Sequence, residues 1–433
     1  MNRNDFGALG IDNALCRAVT ELGYEQPTQI QTQAIPDLLD GRDVLGLAQT
    51  GTGKTAAFSL PILQHLLSGP IRARAKQPKV LILAPTRELA AQIEADIADY
   101  ARHTTIRHTC IFGGVSAHRQ IKTLAAGVEI LVATPGRLLD LAGSRDVDLA
   151  QVSHLVLDEA DRLLDMGFIR DVKRIVAMLP KQRQSMLFSA TMPKEVADLA
   201  AQILSNPIRV DVSPEALTVE KIEQGVVMVD NDRKQDVLQR LLHEPQVTRA
   251  IVFTRTKHGA NRVAKKLDQA GIAAEAIHGN KSQNARQRAL ESFKSGESWV
   301  LVATDIAARG IDIEGISHVI NFELPHEPES YVHRIGRTAR AGASGVAWSL
   351  VDPSEVKRLK AIERLTRVRP AAMQVETTRA PRASEHVPPA RPQHREPGQG
   401  QGTRAESAPF ARNDDDTRGR RRRRSRRPRS RAA

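Results

Sequence analysis

Cysteine is nearly absent: Cys16 and Cys110 are the only two in 433 residues. They stand too far apart for a CxxC redox pair or a zinc ribbon, and no His/Cys cluster accompanies them, so a reducing cytoplasm is the expected setting. Long apolar runs are missing too. No stretch approaches the roughly 18 apolar residues of a spanning helix, and Met1-Asn2-Arg3-Asn4-Asp5 leads into no apolar h-region, which speaks against export and membrane insertion. After about Pro370 large apolar side chains almost vanish, and such a segment cannot offset the entropy of ordering.

What remains is rich in material for a core. Apolar residues make up 41% and charged residues 26% of the chain, enough for two or three packed domains. Lys plus Arg number 63 against 50 Asp plus Glu, a net +13, which points to a polyanionic partner. The excess is uneven. Residues 371–433 hold 16 arginines, no lysine and seven acids, so the tail carries +9 and the body only +4. The run Arg420-Arg421-Arg422-Arg423-Arg424-Ser425-Arg426-Arg427 favours bidentate phosphate contact and stacking on bases. A disordered, basic, nucleic-acid-binding appendage is expected from residue 371 onward.

From about residue 43 short Val/Ile/Leu runs alternate with helix-like stretches: residues 43–48, 79–84, 129–133, 154–157 and 185–188. These runs are apolar at consecutive positions, the pattern of strands buried on both faces in a parallel sheet wrapped by helices. The rhythm breaks around residues 206–220, which hold Asn206-Pro207 and Ser213-Pro214. It resumes at 225–229, 250–253, 274–277, 299–303, 318–322 and 346–351. The expected organisation is α/β: a first domain over 1–208, a linker over 209–220, a second domain of similar build over 221–370, and the tail.

The first predicted strand enters Gln49-Thr50-Gly51-Thr52-Gly53-Lys54-Thr55 and then a helical pattern, the context of a nucleotide phosphate loop. Gly51 and Gly53 let backbone N–H groups face phosphates at the positive end of the helix. Lys54 is expected to reach the β and γ phosphates of ATP, and the Thr55 hydroxyl to hold Mg²⁺. Ala48 stands where the general pattern has its first glycine, a position that needs only a small side chain. Leu155-Val156-Leu157-Asp158-Glu159 supplies the matching strand and carboxylates. Asp158 is expected to bind the metal, through water, and Glu159 to orient and deprotonate the attacking water.

Asp158-Glu159-Ala160-Asp161 is the name-giving tetrapeptide of the DEAD-box RNA helicases. Residues 5–365 resemble that family motif by motif, and their wording is most similar to its bacterial RhlE-type subgroup. The resemblance implies two tandem RecA-like parallel-sheet domains. It implies that Gly23-Tyr24-Glu25-Gln26-Pro27-Thr28-Gln29-Ile30-Gln31 is the adenine-reading Q motif, with Phe6 as the isolated upstream aromatic, Tyr24 stacked on the base and Gln31 on its edge. Pro85, Thr86, Arg87, Gly113, Gly114, Thr134, Pro135, Gly136 and Arg137 look like RNA contacts of the first domain, and Arg255, Gln283, Arg286 and Thr304 like those of the second. Ser189, Thr191, Asp305, His333 and Arg334 resemble the residues that couple the domains. Gly310 and Asp312 resemble the segment that reaches the nucleotide, and Arg337 and Arg340, three apart on one helix face, resemble its arginine fingers.

The implied activity is RNA-stimulated ATP hydrolysis coupled to local, non-processive opening of short duplexes or remodelling of RNA–protein assemblies, without reading base sequence. Ribosome-assembly or RNA-decay partners are expected to be reached through the tail, and no membrane. Two other classes share some of these features: a DNA-dependent translocase ATPase, and an RNA-annealing or clamping protein driven by the basic tail. The Q motif, the Asp-Glu-Ala-Asp spelling and the lack of large insertions weigh against the first; ATPase activity that survives removal of the tail separates the second.

Overall fold

The computed structural model describes residues 5–49, 51–69, 72–212, 222–308, 315–339 and 345–375. Thr50, Gly310, Asp312, Arg340, most of the expected linker and the tail beyond residue 375 lie outside the described residues.

Two seven-stranded sheets share one topology. The first runs in the order β3-β4-β2-β5-β6-β1-β7 and is built from β1 (Val44–Leu47), β2 (Val80–Leu83), β3 (His108–Ile111), β4 (Ile130–Ala133), β5 (His154–Leu157), β6 (Gln184–Ser189) and β7 (Ile208–Asp211). The second runs β10-β11-β9-β12-β13-β8-β14, from β8 (Ile222–Met228), β9 (Ala250–Phe253), β10 (Ala274–Ile277), β11 (Val300–Ala303), β12 (His318–Asn321), β13 (Gly345–Val351) and β14 (Ala371–Ala372). Every strand pair is parallel. Crossover helices therefore cover both faces, and the central strands β2, β4, β9 and β11 are buried at every residue.

Parallel strands end on one edge, and this decides where function collects. The phosphate loop follows β1, Pro85-Thr86-Arg87 follows β2, Gly113-Gly114 follows β3, Thr134-Pro135-Gly136 follows β4, Asp158-Glu159 follows β5 and Thr191 follows β6. In the second lobe Arg255 follows β9, Thr304-Asp305 follows β11 and Glu323 follows β12.

The boundaries differ from expectation at three places. Residues 209–211, expected to open the linker, belong with Ile208 to β7 and pair with β1. Its Ile208-Arg209-Val210-Asp211 alternates, because an edge strand buries one side only. β3, at the opposite edge, has half-buried His108-Thr109-Cys110 and so no apolar run to mark it. Residues 371–372 form β14 against β8, and the Met373 sulfur packs beside Gly225, so the second lobe extends past the expected tail boundary. Among the described residues no helix is long and apolar enough to cross a membrane.

Candidate active site

Out of β1 the chain turns through Gly51 (φ 87°) and Gly53 (φ 90°) into α3 (Lys54–Ser68). Both glycines sit in the left-handed region that other residues avoid. A Cβ on Gly53 would also lie 2.4 Å from the Gln31 Nε2. Gly46, in β1 itself, is needed for a different reason: a Cβ there would lie 2.4 Å from the Phe188 ring, which packs on Phe58 of α3. Lys54 is buried, and its Nζ donates to the carbonyls of Ala48 (2.8 Å) and Gln49 (2.9 Å), while the Thr52 hydroxyl donates to Gln49 O (2.8 Å). A buried ammonium held by neutral carbonyls at a helix start is a donor set that suits phosphate oxygens better than its present partners. Thr55, half-buried, is the second residue of α3.

The Q motif braces this loop from behind. Gln31, in α2 (Gln29–Leu39), accepts at Oε1 from the Thr28 N–H (2.8 Å) and donates from Nε2 to Gly53 O (3.1 Å); the Thr28 hydroxyl donates to Thr52 O (2.8 Å). Tyr24 is 39% exposed and tilted against Tyr100, ring centroids 6.3 Å apart. Phe6 is buried in the core beneath.

Two strands away on the same edge, Asp158 is buried, and burial raises its carboxyl above the ordinary range, with Glu159 pushing the same way and Lys54 opposing. A divalent cation would relieve that desolvation. Among the described residues no group of three His, Cys, Asp or Glu side chains could hold a metal; one carboxylate, one hydroxyl and the substrate's phosphates is the ligand set Mg²⁺ ordinarily takes. Glu159 adopts φ 51°, ψ 55°, a strained conformation of the kind that collects at functional sites. Its carboxylate pairs with Arg162 Nη1 at 2.8 Å, both side chains 5% exposed. Asp161 ties this segment to the end of β6: its Oδ2 accepts from the Thr191 N–H and hydroxyl, both at 3.0 Å, and its own N–H donates to the Ser189 hydroxyl at 3.1 Å.

A cleft of about 520 Å³ is lined by Pro85, Thr86, Arg87, Gly113, Thr134, Gly136 and Arg137 of the first lobe and by Gly279, Lys281 and Arg286 of the second. Gly114 makes room for Arg87, since a Cβ on it (φ 79°) would lie 1.9 Å from the Arg87 Nη1. Burial, then Arg286 and Arg137, lowers the Arg87 pKa while Glu88 opposes, so three guanidinium groups converge here. Arg137 is aimed by Gln120 (2.7 Å) and Val115 O (3.1 Å). Thr134 caps α6 (Pro135–Gly143) with no side-chain bond to the helix, which leaves the helix's first N–H groups for an anion. Across the cleft, Glu88 Oε1 accepts from Arg286 Nε (2.7 Å) and Gln283 Nε2 (3.2 Å), and Arg87 Nη1 donates to Gln283 Oε1 (3.4 Å).

The second lobe's arginines divide by environment. Arg334, 2% exposed, donates to Asp305 from Nε (2.5 Å) and Nη2 (2.8 Å) and from Nη1 to Asn321 Oδ1 (3.0 Å) and Glu323 O (2.6 Å), and stacks over Phe253. It holds the lobe together. Arg337 follows α14 (Pro328–Ile335), is 4% exposed, donates to the half-buried His333's carbonyl (3.3 Å), and lines a small pocket with Asp305, His333 and Arg334. Thr304 stands just before the short helix α13 (Asp305–Ala308). Arg255 is held by Glu323, backbone N–H to Oε2 at 2.8 Å and Nη2 to Oε1 at 3.2 Å.

Glu88, Gln120, Asp161, Arg162 and Glu323 were not assigned roles from the sequence. Glu88 and Asp161 lie inside motifs legible in the sequence and Arg162 directly follows one, so a charged residue beside an assigned one is the available signal. Gln120 and Glu323 have no local signal, because their partners are 17 and 68 residues away.

Two parallel sheets of one topology, a glycine-turned phosphate loop and a carboxylate-bearing strand end on the same edge define a two-lobed RecA-like phosphate-loop protein. The DEAD/DEAH box helicase family model matches residues 28–199, and the helicase conserved C-terminal domain matches residues 233–342. The DEAD-box ATP-dependent RNA helicase CshA of Bacillus cereus is 43% identical over 362 residues, 84% of this chain and 68% of that protein. The ATP-dependent RNA helicase CshA of Listeria monocytogenes is 42% identical over 372 residues, 86% of this chain and 71% of that one. Among solved structures, S. cerevisiae Dbp5 bound to RNA and ADP BeF3 aligns with a TM-score of 0.76 at 33% identity, covering 86% of this chain and 95% of that chain. Mss116p bound to ssRNA and AMP-PNP gives 0.75 at 29%, covering 86% and 79%. The chain belongs to the DEAD-box helicase family.

Proposed function

We propose that the protein is an ATP-dependent RNA helicase whose ATP hydrolysis is stimulated by RNA and coupled to local opening of short duplexes or remodelling of RNA–protein assemblies. The observation that carries this reading is the shared sheet edge: a phosphate loop closed on buried Lys54, with desolvated Asp158 and strained Glu159 two strands away, beside a cleft where Arg87, Arg137 and Arg286 converge. Lys54 and the loop N–H groups bind the triphosphate, and Gln31 and Tyr24 serve the adenine. Mg²⁺ would be held by Thr55 and Asp158, and would supply charge neutralisation on the β and γ phosphates. Glu159, aimed by Arg162, takes the proton of the attacking water.

Arg337 reaches the γ-phosphate only when the second lobe closes, and an arginine finger is worth roughly 10³ to 10⁵ in rate. RNA lying on both lobes favours that closure, and by linkage ATP tightens RNA binding in return. The Glu88–Arg286 contact supports this coupling, because it joins the lobes within the RNA cleft. The arginine-rich tail adds sequence-independent affinity and a route to ribonucleoprotein partners. The wording around the motifs resembles the RhlE-type subgroup, a reading that rests on motif resemblance alone, while the Bacillus and Listeria relatives carry the CshA name. A reducing, cytoplasmic setting suits two thiols that burial makes less acidic than usual. ATP turnover with single-stranded RNA, duplex RNA and matched DNA at two salt concentrations tests the assignment: RNA stimulates it and DNA does not, whereas equal stimulation by both would make the protein a DNA-type translocase.

A further inference from the structure

Next to Arg255 lies a buried charge network that none of the motifs includes. Lys234, the first residue of α10 (Lys234–Leu242), is fully buried. Its Nζ donates to Phe322 O (3.0 Å) and to the Glu355 carboxylate, and stands 3.4 Å from Asp352 Oδ2. Glu355, also fully buried, ends a short 3₁₀ turn (Pro353–Glu355) after β13; its Oε1 accepts from the Leu324 N–H (3.1 Å) and lies 3.8 Å from Arg255 Nη2 and 3.6 Å from Arg358 Nη1. Burial alone would raise the Asp352 carboxyl, but the Ser354 hydroxyl and N–H and then Lys234 hold it at about 2, so it is ionised at neutral pH.

The arrangement brackets one residue. Phe322 is fixed through its carbonyl by Lys234, and Leu324 through its N–H by Glu355. Between them stands Glu323, whose side chain holds Arg255 by backbone and guanidinium and whose carbonyl accepts from Arg334 at 2.6 Å. Arg334 in turn grips Asp305. Arg255, expected to contact RNA, and Arg334, which with Asp305 is expected to couple the domains, thus both hang on a peptide segment clamped from its two ends.

We propose that the Lys234–Glu355 pair is a positioning device for RNA engagement: by clamping Phe322 and Leu324 it sets where Glu323 places Arg255. The proposal rests on the reading of Arg255 as an RNA contact. The pair is a positioning element and not a catalytic one, since both residues are fully buried and neither lines the cleft. A purely structural role predicts something different. Replacing a buried ion pair with apolar residues of similar volume commonly leaves a protein as stable as before or more so. Stability would then return in such a variant, and so would function.

The test uses the full chain and two variants. Both tryptophans, Trp299 and Trp348, lie in the second lobe, so their fluorescence reports its folding directly. For a folded Lys234→Met/Glu355→Leu double variant, the RNA concentration that half-saturates ATP turnover rises about tenfold while turnover at saturating RNA stays within about twofold of the parent, the signature of a lost binding contribution. Glu323→Gln leaves the buried pair intact and gives the same shift. Affinity for a labelled single-stranded RNA is read in parallel by fluorescence anisotropy. A parent without RNA-stimulated turnover therefore overturns the function proposed above, while the affinity shift still decides this inference. A folded double variant with the parent's half-saturation, or a Glu323→Gln variant with the parent's RNA affinity, overturns the positioning role; if the double variant does not fold, Glu323→Gln alone decides.

Discussion

Glu159 occupies a left-handed backbone conformation and an almost fully buried ion pair with Arg162, a costly arrangement for a residue with only a capping role. That cost is intelligible if the carboxylate must be aimed. Glu159→Gln keeps the shape and the acceptor for Arg162 but removes the base. ATP turnover in saturating RNA is expected to fall by roughly 10² to 10⁴, the usual worth of a general base, with nucleotide binding retained; a variant that turns over at the parent rate would remove the assignment. Lys234 is the contrasting case, a charge buried for position. Lys234→Met alone strands the Glu355 carboxylate and is expected to destabilise the second lobe by about 3 to 5 kcal/mol, measured as a lower denaturant midpoint by tryptophan fluorescence.

Among the elements, the loops at the carboxyl edges are where small residues have specific duties. Gly114 is a cradle for the Arg87 guanidinium, so Gly114→Ala, which adds both a clash and an unfavourable φ, is expected to weaken RNA binding several-fold while leaving ATP affinity unchanged, as separate titrations would show. The strands that carry these loops could be read from the chain because both of their faces are buried: Val80–Leu83 and Val300–Ala303 are unbroken apolar runs. β3 and β7 could not, since edge strands are only partly buried: β3 opens on half-buried His108-Thr109-Cys110, and the alternation of β7 is too short to stand out over four residues. The phosphate loop and the carboxylates after β5 were legible because that chemistry needs particular residues at fixed local spacing. Glu323 and Gln120 were not, because what matters about them is a partner that only the fold brings near.

For the whole molecule, half-buried His154 and buried His318 contribute to the loss of stability in acid. Burial, with His65 adding to it, lowers His154 of the first lobe to about 4, and burial lowers His318 of the second lobe, tilted against Trp348, to about 4. Both pKa values lie below the unfolded value of about 6.5. Below pH 6.5 the unfolded chain takes up protons that the folded chain refuses, so stability is complete above pH 6.5 and declines as pH falls towards 4. Urea midpoints across that range are expected to follow this course, and His318→Phe to flatten it for the second lobe. The tail works at longer range. Truncation after residue 375 is expected to keep RNA-stimulated ATPase but to reduce RNA affinity and its salt dependence, because fewer phosphate contacts release fewer counterions. The most direct test of the account is steady-state ATP turnover against single-stranded RNA concentration for the full chain and for Arg337→Ala. RNA should accelerate the parent strongly and leave Arg337→Ala slower by roughly 10³ or more; equal RNA stimulation in the two proteins would contradict an active site completed by the second lobe.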